Sequence, residues 1–171
     1  MKLKNFIIGL LVSNQSGVLT RISGMFARRG FNIDSLVVGE TENKDFSRMT
    51  ITMTGDDYAR DQIIKQLQKL HDVYEITEMS GDGIVSRELI LIKVAANQSN
   101  RQEIMDAANV FRNKIIDFSP EALCIEMTGE ISKINAFIEL MKPYGILELC
   151  RTGTVSLHRG TRCLKEEKEE L

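Results

Sequence analysis

The chain of 171 residues has no tryptophan, two prolines, two histidines and three cysteines, and each shortage narrows what it can be. Cys124, Cys150 and Cys163 are odd in number and far apart, with no Cys-x-x-Cys pair, which argues against a disulfide framework or a zinc site. Cys124 and Cys150 read as small buried apolar residues. His71 and His158 have neither a partner at metal-ligand spacing nor a neighbouring nucleophile, so they read as surface or turn residues. Charge of one sign is also lacking. Lysine plus arginine number 22 against 24 acidic residues, a net −2, so there is no basic footprint for nucleic acid. No apolar run reaches the roughly 18 residues of a membrane span. Met1-Lys2-Leu3-Lys4 followed by Phe6–Val12 has the charge order of a signal peptide, but the run is short and breaks into Ser13-Asn14-Gln15-Ser16-Gly17 without a cleavage site. It reads as an opening strand, and the protein as cytoplasmic.

Catalytic motifs are missing as well. There is no GxGxxG after a strand, no GxxxxGK[ST], no HExxH and no Gly-x-Ser-x-Gly. Asp56-Asp57 sits where a helix start favours negative charge. Glu166-Glu167 falls in a charged tail, and Gly81-Asp82-Gly83 precedes no helix and reads as a linker turn.

What is present is an alternation between two periodicities. Lys4–Val12 reads as a buried strand. Leu19, Ile22 and Phe26 then follow helical spacing, with Ser16 as N-cap, Gly30 as C′ residue, and Arg28 and Arg29 in the last turn. Asn32–Gly39 reads as a strand, Thr41–Asp45 as a turn, and Phe46–Thr54 alternates as a strand. A helix from Asp56-Asp57 and a strand over Val73–Met79 complete a βαββαβ unit. The pattern repeats: strand Glu88–Ala95, helix Arg101–Arg112, strands Asn113–Phe118 and Leu123–Thr128, helix Ile131–Lys142, and a last strand over Ile146–Leu157. Asn14-Gln15-Ser16 recurs as Asn97-Gln98-Ser99, and Met53-Thr54-Gly55 as Met127-Thr128-Gly129, at equivalent places in the two units. This is internal duplication. The expected fold is α+β, with two tandem ferredoxin-like βαββαβ sandwiches. They occupy 1–80 and 87–160, joined by a linker over 81–86 and followed by a charged, solvated tail over 161–171.

The turn Asn14–Gly17 lies between a strand and a helix, where first-turn N–H groups lack intrahelical partners and the dipole favours an anion. Gly17 allows close approach to the backbone, and Asn14 offers a donor and an acceptor to a zwitterion. On the residues alone, simple capping comes first and ligand binding second. The second copy has Asn100 in place of Gly17, a side chain that would crowd a ligand, so any binding belongs to the first unit.

Three stretches carry a family resemblance: Asn14-Gln15-Ser16-Gly17-Val18-Leu19-Thr20-Arg21-Ile22, Phe26-Ala27-Arg28-Arg29-Gly30-Phe31-Asn32-Ile33-Asp34-Ser35-Leu36 and Ser47-Arg48-Met49-Thr50-Ile51. Together with Arg87-Glu88-Leu89, Ile115-Ile116-Asp117 and Arg151-Thr152-Gly153, they resemble the regulatory small subunits of acetolactate synthase, over nearly the whole chain. The resemblance implies that the first unit is an ACT domain, which pairs through its sheet into a homodimer. It implies a regulatory subunit without catalytic residues, which binds and activates the catalytic large subunit and confers feedback inhibition by valine. Thiamine diphosphate, magnesium and FAD are then expected on the large subunit, with none in this chain. That subunit condenses pyruvate with pyruvate or 2-ketobutyrate, towards branched-chain amino acids. Carried over by position, the valine site involves Asn14, Gly17 and Asn32, lined by Gln15, Ser16, Val18, Leu19 and Ile33, with Asn32 coming from the neighbouring subunit.

Two other functions compete. An RNA-recognition module shares the βαββαβ order, but the strand Ser47–Met53 has no aromatic residue on which a base could stack. A stand-alone amino-acid sensor acting on another partner protein also fits the pattern.

Overall fold

The computed structural model describes residues 3–164. The charged tail expected over 161–171 therefore lies, from residue 165 on, outside the described residues. Two compact units emerge: the described part of Met1–Val85 with that of Thr154–Leu171, and Ser86–Gly153.

In the first unit, β1 (Lys4–Ser13) is followed by α1 (Val18–Arg28), β2 (Ser35–Glu40), β3 (Phe46–Gly55), α2 (Asp57–Leu67) and β4 (Val73–Glu78). The sheet is antiparallel, in the order β2-β3-β1-β4. One face carries the alternate residues Ile8, Leu10 and Val12 of β1 and Met49, Ile51 and Met53 of β3, all buried. The helices cover that face with Ile22, Phe26, Ile63 and Leu67. Each aliphatic side chain so buried contributes roughly 1.5–3 kcal/mol. Asp56 caps α2 by accepting the Ala59 N–H at 2.7 Å, and Asp57 adds negative charge to its first turn. The expected strand from Asn32 begins three residues later, at Ser35. Asn32 Nδ2 donates to Asp34 Oδ1 there, and the Asp34 N–H makes the first contact with β3, at the Thr52 carbonyl.

The second unit repeats the plan with β5 (Ile84–Ala95), α3 (Arg101–Val110), β6 (Lys114–Phe118), β7 (Ala122–Gly129), α4 (Ile131–Met141) and β8 (Ile146–Arg151). Its strand order, β6-β7-β5-β8, is the same permutation. In each sheet the register against the last strand slips near the end of the first, at Leu11/Val12 and at Lys93/Val94. The duplication read from two tripeptides thus extends to the irregularities of the ladder.

Three expectations shift. The linker is shorter than 81–86, because β5 already begins at Ile84. The last strand does not run unbroken over Ile146–Leu157: it stops at Arg151, and β9 (Val155–His158) follows. Thr152, Gly153 and Thr154 intervene, with Gly153 at φ 84. The division in space falls at Gly153, before the boundary that the sequence pattern places at 160. The returning segment is held in the first unit. Arg48 Nη2 donates to the Ser156 carbonyl at 3.0 Å, and to reach it the guanidinium crosses Gly9, where a Cβ would lie only 2.7 Å from Nη2. Arg159 secures the same strand, donating from its backbone N–H to the Gly83 carbonyl and from Nε to that of Ile84.

In the second unit, the carboxyl-bearing Glu88 is only 2% exposed. Arg151 answers it with Nε and Nη2, both at 2.7 Å, a bidentate pair between β5 and β8. Removing one partner of such a pair leaves a desolvated charge. Arg151→Met is expected to destabilise the intact chain by roughly 3 kcal/mol, the low end for buried pairs because Arg151 is partly exposed. Glu88→Leu combined with Arg151→Met should recover most of that loss. Urea unfolding of the unaltered chain, both single variants and the double variant checks both statements, and an additive double variant would refute the pairing.

Candidate functional site

The connection from β1 to α1 is built around Gly17. The residue occupies the N-cap position at φ 86 and ψ −13, the left-handed region that a Cβ disfavours. No side chain caps α1, so Ser16, expected as the cap, does not serve as one. The Val18 N–H reaches the Gln15 carbonyl at a long 3.4 Å, and the first regular helical bond runs from Arg21 N–H to Gly17 carbonyl at 2.9 Å. Between them, the first-turn N–H groups of Leu19 and Thr20 have no side-chain acceptor among the described residues. No acidic residue in the first turn offsets the dipole. The helix start is therefore an open, positively polarised cluster of donors.

The other residues of the expected site are arranged around this opening. Gln15 and Ser16 are exposed. Val18 points into the core, so it offers the turn only its backbone. Leu19 is 42% exposed and is the aliphatic side chain of the turn available to a ligand. Asn14 is committed to its own unit. Its Nδ2 donates to the Lys44 carbonyl at 2.9 Å and to Glu40 Oε1 at 3.1 Å, and its Oδ1 accepts from Ser47 Oγ at 3.0 Å. It braces the turn against the β2–β3 loop, and of its three partners the exposed Glu40 contact is the one most readily exchanged. Asn32 is not beside Asn14. It follows the far end of the 11-residue helix α1, about 16 Å away along the axis at 1.5 Å per residue. There its Nδ2 donates to Asp34 Oδ1 at 3.0 Å. Ile33, next to it, is half-buried against the core.

Two side chains at the turn were missed by motif reading. Arg21 lies one helical turn beyond Gly17, with Nη1 3.0 Å from the position a Gly17 Cβ would take. Its Nε donates to Asp72 Oδ2 at 2.6 Å. The spacing from Gly17 to Arg21 was legible as two residues on one helix face. Asp72 lies 51 residues from Arg21, and no local pattern announces it.

In the equivalent turn of the second unit, side-chain oxygens bond the N–H groups of the loop itself, although α3, like α1, has no side-chain cap. Asn97 Oδ1 accepts from the Ser99 N–H at 2.9 Å and the Asn100 N–H at 3.2 Å, and Asn100 Oδ1 accepts from the Asn97 N–H at 2.8 Å. The side chain at the Gly17 position thus helps to fill the space that the first unit leaves open.

Comparison with known proteins agrees on both halves. A family model described as the small subunit of acetolactate synthase matches residues 87–160, and one described as the AHAS small subunit-like ACT domain matches residues 8–75. The probable acetolactate synthase small subunit of Methanothermobacter thermautotrophicus is 47% identical over 159 residues, covering 92% of this chain and 95% of its own. The acetolactate synthase small subunit of Mycolicibacterium smegmatis is 50% identical over 155 residues, covering 91% of each. The crystal structure of the acetolactate synthase small subunit from Thermotoga maritima has a TM-score of 0.84 at 41% identity, covering 93% of this chain and 99% of that one.

The hydrogen bond from Arg21 holds the Asp72 carboxyl below the usual carboxylate range; partial burial opposes this, and the charges of Arg21 and His71 add to it. A carboxyl depressed in the folded state stabilises that state at pH values above its unfolded pKa. The contribution disappears as pH falls through the folded value. In an NMR titration, Asp72 should therefore protonate below the ordinary carboxylate range, and Arg21→Gln should raise its midpoint. A midpoint that does not move would refute the pair.

Proposed function

The chain belongs to the acetolactate synthase small-subunit family, and on that premise we propose that it binds and activates the catalytic large subunit and confers feedback inhibition by valine. The observation that carries the valine reading is the uncapped start of α1, opened by a left-handed Gly17. A carboxylate there meets the free N–H groups of the first turn and the positive end of the dipole. Leu19 faces the isopropyl group, and Asn14 takes the polar end by exchanging its contact with Glu40. One methylene more or less changes binding by only ~1–3 kcal/mol in such a pocket, so leucine and isoleucine are expected as weaker effectors.

Asn32 enters from a second copy. Within one chain it stands at the wrong end of α1, but β2 is an edge strand whose Val38 is exposed. Pairing along that edge satisfies its open backbone groups and extends the sheet into a homodimer. In this reading thiamine diphosphate, magnesium and FAD reside on the large subunit, in the cytoplasm, and this chain supplies regulation alone. Among the described residues, no helix is long and apolar enough to cross a membrane.

Co-purification with a candidate large subunit, followed by an acetolactate assay with and without valine, tests the assignment. Activation and valine inhibition are expected. Neither effect would leave only a free-standing sensor. Gly17→Asp puts a carboxylate where the ligand's would lie and strains a φ of 86. It should abolish valine sensitivity while the holoenzyme still assembles. Full inhibition in that variant would move the site elsewhere.

A further inference from the structure

Arg21 has more donors than partners. A guanidinium carries five N–H bonds, and among the described residues only that of Nε is engaged, by Asp72. The anchor is itself fixed, because the Asp72 carbonyl accepts the Ser13 N–H at 2.9 Å where β1 runs into the turn. Asp72 is only 15% exposed at its side chain, against 49% for Arg21, so the buried partner sets the position of the exposed one. The result is a cation whose Nη1 and Nη2 remain free, with Nη1 beside Gly17 at the open start of α1. A surface pair of this kind contributes little to stability by itself. Two adjacent free Nη groups do, however, match the two oxygens of a carboxylate.

The second unit gives the contrast. Its helix α3 has Ile104 at the place of Arg21 and carries an arginine instead at its first residue, Arg101, whose Nη2 donates to the carbonyls of Ala96, Ser119 and Pro120. That arginine holds a loop; the first unit's arginine is left facing its open turn.

We infer that Arg21 is a binding residue for the effector's carboxylate, with Asp72 as its positioning residue. The inference rests on the valine reading above and sharpens it: the site demands a free α-carboxylate, because the group that faces it is a fork of donors and a charge. Backbone N–H groups alone would also accept a neutral amide oxygen, whereas Arg21 makes the negative charge count.

The test uses the full-length chain and two probes, L-valine and L-valinamide, which share side chain and amine but differ in the carboxylate. Calorimetry on the unaltered protein should show valine bound much more tightly than valinamide. Arg21→Gln should weaken valine about 10- to 100-fold, the effect of losing a hydrogen-bonded charge. Valinamide should change little, so that discrimination between the probes collapses. Arg21→Lys keeps a charge without the fork and should fall between. Equal losses for both probes would mean that Arg21 only shapes the turn, and would overturn the inference. So would undiminished discrimination in Arg21→Gln, with the valine site itself intact. No valine binding by the unaltered protein would instead bring down the effector reading, and this inference with it.

Discussion

A helix start presents N–H groups that its own backbone cannot satisfy, and at α1 the chain leaves them open. Much of the first unit's local structure is fitted to that fact. Gly17 adopts the left-handed conformation that turns the chain from β1 into the helix without a side chain in the way. Asn14, at the start of the turn, ties it to Lys44 and Ser47 on either side of the β2–β3 connection's end. Asp72 reaches in from the start of β4 and fixes Arg21 beside the gap. An open set of donors is tolerable on the surface, where water answers it, and becomes selective only when its surroundings are held still.

The duplicated unit shows what the same connection looks like without a left-handed glycine. Both units have the same strand order and the same slip in their ladders. Both have an Asn-Gln-Ser sequence at the same connection. The fourth residue differs, Gly17 against Asn100, although neither helix start has a side-chain cap. With Asn100 in that place, side-chain oxygens occupy the turn, and Arg101 secures the β6–β7 loop.

Most of this architecture is visible in the sequence because it follows from periodicity. The strands alternate, the helices repeat at three and four, and Asp56 and Gly30 mark ends as their backbone chemistry requires. The features that escape are those made by contacts distant in sequence. Ser16 looks like a cap because serine often is one, but the left-handed Gly17 after it takes the N-cap position. Val18 looks like a pocket residue, but the phase of the helix turns it inward. The break at Thr152–Thr154 interrupts an apolar stretch that reads as one strand. The return of β9 to the first unit depends on Arg48 crossing Gly9, a contact that joins three separate segments. Asp72 belongs to the same class.

The separation of Asn14 and Asn32 has a thermodynamic consequence for the proposed regulation. A ligand shifts an equilibrium only by its difference in affinity between the states involved. If a single chain held the whole site, valine would bind equally well however two chains were disposed, and its signal would stop at the turn. With Gly17 and Arg21 at one end of α1 and Asn32 at the other, no single chain offers both groups to one small molecule, which spans far less than the helix. In the proposed dimer, affinity would depend on how the partner's Asn32 is presented, that is, on the geometry of the dimer edge. By linkage, whatever changes that edge changes valine affinity, and valine changes the edge by the same free energy. A split site is thus enough to make a small amino acid act on an assembly, with no moving part inside either unit.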